Sequence, residues 1–215
     1  MKLFFSRPGV IAPLIALVVL LPASALAATL HVVGGELIGA SAVRVDGTYY
    51  DVSFVDGTCV AVFSGCDEAV DFAFSTDSEA SAAAQALFDQ VFVDGPDGSF
   101  DSDAGLTAGC ASTVCRAVIP HSLESGGASA RGAWAKNDSA EAFDQILIRS
   151  LSTTIDTATE DARVYAVFVE VPPPVPTMSA TALGILVLLC VGLGLMAPLV
   201  ASKGRGAEAT QQAEE

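Results

Sequence analysis

Cysteines, histidines and one acid-rich stretch are the residues of this 215-residue chain with the most chemistry in them. Four cysteines form two close pairs, Cys59-x6-Cys66 and Cys110-x4-Cys115. Thiols so placed either cross-link or gather around zinc. Structural zinc sites favour two-residue spacings, which are missing here. An oxidising compartment makes two disulfides the expected outcome. Three pairings are open, and the local one, 59–66 with 110–115, is favoured. Loops this short would contribute roughly 2–3 kcal/mol each. Nucleophilic catalysis would need a serine or cysteine beside a base. Gly127-Ala128-Ser129-Ala130-Arg131 and Gly39-Ala40-Ser41-Ala42-Val43 begin like the G-x-S-x-G elbow but lack its second glycine. The two histidines are His31, expected to be exposed, and His121, expected at a loop or strand end after Pro120. Cysteines bonded to one another leave no thiol for a papain-like Cys–His pair.

Residues 94–103 (DGPDGSFDSD) put Asp94, Asp97, Asp101 and Asp103 in one short stretch. Calcium favours such oxygens on a bendable loop, but the register is wrong for an EF-hand and the terminal Glu is absent. A solvated acidic turn is expected. Asn137-Asp138-Ser139 matches a glycosylation acceptor formally. No Walker loop or dinucleotide fingerprint occurs. The sequence therefore offers no catalytic, cofactor-binding or metal residue to name. A non-enzymatic role is expected, with a membrane-tethered binding module that is never cleaved, or a small secreted hydrolase using carboxylates or His121, as the alternatives.

The elements carrying these residues read as α+β: a small, mostly antiparallel sheet domain with one main helix, plus one C-terminal transmembrane helix. Residues 42–45, Asp46-Gly47 and residues 48–55 form a strand–turn–strand pattern, because Asp-Gly tolerates the positive φ of a tight hairpin. Cys59–Phe63 reads as the next strand. Val70–Phe74 alternates, with Phe72 and Phe74 expected on one face. Thr76-Asp77-Ser78-Glu79 is a capping box, and apolar residues follow it at helical spacing, predicting a helix over about 77–92. Residues 116–119, the stretch around Trp134 and residues 163–171 read as strands. Residues 143–151 fit strand or helix.

Outside this domain the composition changes. Lys2 and Arg7, the apolar run 10–21 and the small-residue stretch 22–27 predict a signal peptide over 1–27, cleaved between Ala27 and Ala28. The exported acidic domain, 28–171, runs into a Pro-rich stalk and motif at 172–179. Residues 180–201 are apolar for 22 positions, about 33 Å as a helix and enough to span a lipid bilayer. Cys190 lies in this span. Lys203 and Arg205 follow, so the positive-inside rule places 202–215 in the cytoplasm and the domain outside it. Of 25 acidic residues, 22 fall within 28–175 with six of the ten bases, a net −16. That charge disfavours nucleic acid as a partner.

At the C-terminus Val175-Pro176-Thr177-Met178-Ser179, an apolar helix and a short basic cluster together resemble the tripartite IPTL-CTERM sorting signal, a relative of the PEP-CTERM signals of exported bacterial proteins. The resemblance covers about thirty residues, 175–205. It implies recognition by an exosortase-like membrane protease, cleavage near Pro176-Thr177, and transfer to the envelope or cell surface. It also implies the company of extracellular polysaccharide. Residues 45–100 look like ectodomains of PEP-CTERM-type proteins, which implies no activity.

Overall fold

A computed structural model describes residues 27–174. The first strands, β1 (Thr29–Val33), β2 (Glu36–Val45) and β3 (Thr48–Val55), form an antiparallel meander. Its second turn is the expected Asp-Gly pair, with φ of 46° at Asp46 and 94° at Gly47. The chain then leaves the sheet through α1 (Cys59–Val62) and α2 (Asp77–Gln90). A two-strand turn follows, β4 (Asp94–Gly95) with β5 (Gly98–Ser99). The chain re-enters as a second meander, β6 (Val114–Glu124), β7 (Ser129–Asp138) and β8 (Gln145–Ser152). The last strand, β9 (Arg163–Val171), slots between the two meanders, antiparallel to β3 and parallel to β6. The seven-stranded order is β1-β2-β3-β9-β6-β7-β8.

Alternation along the central strands divides the core in two. On β9, Val164, Ala166 and Phe168 join a cluster with the apolar face of α2, while Tyr165 joins a second cluster with Val118, Trp134, Phe63 and Phe72. The first interface is made largely of alanine: Ala80, Ala83 and Ala84 on the helix, Ala117, Ala133, Ala135 and Ala166 on the strands, all essentially fully buried. Small side chains on both sides let helix and sheet approach closely. Leu87, Val91 and Phe92 fill the wider end, where Phe92 stacks on Phe54 at 5.6 Å between ring centroids. In the second cluster Phe63 meets Phe72 and Tyr165 edge-on at 5.5 and 5.3 Å. The Arg163 guanidinium lies 4.9 Å from the Trp134 ring, a cation–π contact.

The main helix starts as expected. Thr76 Oγ1 accepts from Glu79 N, and Glu79 Oε2 accepts from Ser75 N, one residue before the position a strict capping box uses. Two sequence expectations fail. Cys59–Phe63 is not a strand: Thr58 Oγ1 accepts from Ala61 N and starts one helical turn. Its valines promised a strand, but the cross-link to Cys66 closes the segment on itself. Val70–Phe74 is not a strand either. Residues 69–71 form a 3-10 turn held by Asp71 Oδ2, which accepts from Asp67 N and Glu68 N. Phe72 and Phe74 consequently enter different clusters instead of sharing a face. The ambiguous 143–151 stretch resolves as strand from Gln145 onward. Among the described residues no helix is long and apolar enough to cross a membrane. The expected span 180–201, the motif 175–179, Lys203, Arg205 and most of the expected signal peptide lie outside the described residues.

Tyr165 offers a test of the second cluster. Its side chain is fully buried and its hydroxyl has no hydrogen-bond partner. Burial pushes its pKa up to about 12. A buried hydroxyl left unbonded costs about 1–3 kcal/mol, so Tyr165→Phe is expected to raise the melting temperature by about 2–12 °C. A fall on calorimetry would show that the hydroxyl is bonded in solution.

Candidate functional site

Both expected disulfides form with the local pairing, Cys59–Cys66 and Cys110–Cys115, at Cα separations of 5.7 and 5.6 Å. All four cysteines are buried, the first pair in the second cluster and the second pair in the first. Their role is to cross-link. Among the described residues no group of three or more His, Cys, Asp or Glu is placed to hold a metal ion.

The acidic stretch closes on itself. Asp94 Oδ1 accepts from Asp101 N and Ser102 N, and Oδ2 from Ser102 Oγ at 2.8 Å. These donors hold the Asp94 carboxyl below the usual range. Phe100 anchors the loop: it is fully buried against Gly98, and its carbonyl accepts from Asn137 Nδ2 at 2.7 Å. Asn137 is itself fully buried, which closes the formal glycosylation site.

His121 is not the loop or strand-end residue expected. It sits within β6 at a bulge, where His121 and Ser122 together oppose Arg131 of β7. The bulge directs the buried imidazole to the first residue of α2. Asp77 Oδ1 lies 2.7 Å from His121 Nε2, and the Arg131 guanidinium grips both Asp77 oxygens at 3.1 and 3.0 Å. Arg131 and His121 hold the Asp77 carboxyl below its ordinary value. An ionised carboxylate only accepts, so Nε2 carries the proton. Nδ1 is buried with no partner. A Ser–His–Asp arrangement needs a hydroxyl on that second nitrogen. Chemically the cluster ties the start of α2 to the sheet. His31, by contrast, is exposed on β1 and shares a 2.8 Å hydrogen bond with Ser41 Oγ. The sequence held no signal for the Asp77–His121 pairing, because the two lie 44 residues apart and meet only through the bulge.

Acid should loosen this arrangement. Asp77, Glu79, Asp94 and Asp138 are all held below the usual carboxylate range, first by hydrogen bonds to Arg131, Ser75, Ser102 and Lys136 respectively. Each contributes stability that is present above its ordinary pKa and lost as pH falls through its lower folded value. Asp101 and Asp144, raised by burial, act oppositely and recover stability on protonation. Four against two, thermal stability is expected to fall below about pH 4. Asp77→Asn should flatten that fall in melting curves taken from pH 6 to 2.

A second feature is an open groove of about 600 Å³ between the β2–β3 turn, residues 69–75 and the first turn of α2. Its apolar lining includes Tyr50, Phe72, Phe74 and Val70, and its carboxylates are Asp46 and Glu79. No local sequence signal announces it, because it is assembled by the 3-10 turn at residues 69–71, where alternation predicts a strand.

No family model matches the chain, and neither a curated protein nor a solved structure matches it.

Proposed function

We propose that this chain is a non-enzymatic, exported envelope or cell-surface protein. Its folded domain lies outside the cytoplasm, and its C-terminal segment 180–201 holds it to the membrane until the chain is processed. The observation that carries this reading is the pair of buried disulfides, which belong in an oxidising compartment. The end of the fold supports it too. β9 runs directly into Pro172 and Pro173, both exposed, so the last sheet strand leads straight into the stalk. The IPTL-CTERM-like motif Val175–Ser179 makes an exosortase-like protease the processing partner, with release to the surface or matrix, in contact with extracellular polysaccharide, as the outcome. The engagement of His121 by Asp77, which Arg131 also grips, favours display over hydrolysis.

Intact mass of the protein recovered from its native envelope tests both ends. Loss of residues 1–27 and of those after Pro176 is expected, with a mass four hydrogen atoms below the fully reduced value. A chain that keeps residues 177–215 is a permanently tethered module instead. Free thiols at Cys59, Cys66, Cys110 and Cys115 would overturn export.

A further inference from the structure

We infer that the groove beside Tyr50 is a docking site for a basic, extended polypeptide segment carried by a membrane protein at the foot of the stalk. Three observations converge on it. The first is charge. Asp46 and Glu79 line the groove, and Glu170 is the register partner of Tyr50 on β9. Burial, then Glu170 and Glu79, raise the Tyr50 pKa, so both carboxylates act on that phenol. No lysine, arginine or histidine is in the lining. Glu79 is held anionic by Ser75.

The second is the lining itself. Tyr50 packs against Phe74 and Phe168 at 5.4 and 5.9 Å, giving an aromatic floor. Val70 on the wall is 80% exposed, the most exposed of the large apolar side chains among the described residues. Aromatic rings and carboxylates around an apolar wall suit lysine and arginine, whose stems are apolar and whose ends are cationic. Anionic lipid headgroups would be repelled.

The third is position. Val171 pairs with Tyr49 and Glu170 with Tyr50, so the groove lies at the end of the sheet where the stalk begins. Pro176 follows Val171 by five positions, a reach of at most about 18 Å. A protein acting on the motif therefore stands within that distance of Val171. This placement of the partner rests on the tethered orientation proposed above; the chemistry of the groove does not.

The test uses the full chain in nanodiscs of neutral lipid and a peptide of alternating lysine and valine as the probe, followed by NMR. Shifts are expected to centre on Tyr50 and Val70. Asp46→Asn with Glu170→Gln should weaken binding at least tenfold; both sites are exposed, and Asn tolerates the positive φ of position 46. Asp97→Asn with Asp161→Asn removes the same charge elsewhere and should weaken binding less than threefold. A glutamate–valine peptide should not bind. Equal weakening by the two double variants, or shifts spread over the acidic surface, would reduce the effect to bulk charge and overturn the site. Peptide binding by a chain that fails to insert into the nanodisc would instead leave the groove standing and sink the tethered reading.

Discussion

Reduction of the two disulfides is expected to lower the melting temperature by about 10–20 °C. The bridges close loops of eight and six residues, residues 59–66 and 110–115. Chain entropy gives roughly 2–2.5 kcal/mol for each, and about 2–4 °C accompanies each kcal/mol in a domain of this size. Burial adds to the effect. Cys59 and Cys115 are fully buried, so a reduced pair leaves thiols in packed apolar surroundings that were shaped around a bond. Together the two bridges represent a large share of the 5–15 kcal/mol that holds a typical domain folded. Calorimetry with and without a phosphine reductant measures it. Replacing one pair at a time by alanine should give about half of the drop each, since the two sit in different clusters and act independently. An unchanged melting temperature would mean that the bridges contribute nothing to the fold.

Gly132→Ala is expected to cost about 3 kcal/mol or more. Gly132 lies in β7 opposite Pro120, beside the bulge that carries His121. A methyl group there would stand 2.3 Å from the Ile119 carbonyl oxygen and 2.8 Å from Pro120 Cα. Both obstacles are backbone, held in register by the sheet, so neither swings aside as a side chain would. Relief requires β6 and β7 to part where His121 and Arg131 converge on Asp77. The variant should therefore lose the Asp77 tie along with stability, visible as an altered His121 ring signal at a temperature where the chain is still folded. Gly95→Ala serves as control, because nothing lies within 4 Å of the added group; its melting temperature should stay within about 1–2 °C.

Much of the sheet was legible because its signals are local. The Asp46-Gly47 turn, the Thr76 cap and the β-branched run 163–171 each specify their own geometry. The disulfide pairing was legible for the same reason, since near neighbours are the easiest to join. Cys59–Phe63 and Val70–Phe74 misled because valine and phenylalanine alternation describes a half-buried surface whether or not a ladder is available. Here the cross-link and the Asp71 turn remove the ladder. The Asp77–His121–Arg131 tie was invisible because it needs the bulge, and nothing in residues 119–122 announces where one strand gains a residue. The groove needs three separated segments at once: the β2–β3 turn, residues 69–75 and the first turn of α2.

The place of β9 carries a mechanical consequence. The strand that continues into the stalk is interior, flanked by β3 over seven register pairs and by β6 over three. Tension applied at Val171 acts along the strand axis, so these pairs are loaded in shear and must yield together rather than unzip one by one. Had the stalk left from β8, at the margin, the same tug would peel a single ladder. If the domain is tethered as proposed above, it hangs by its middle strand and is suited to hold against drag.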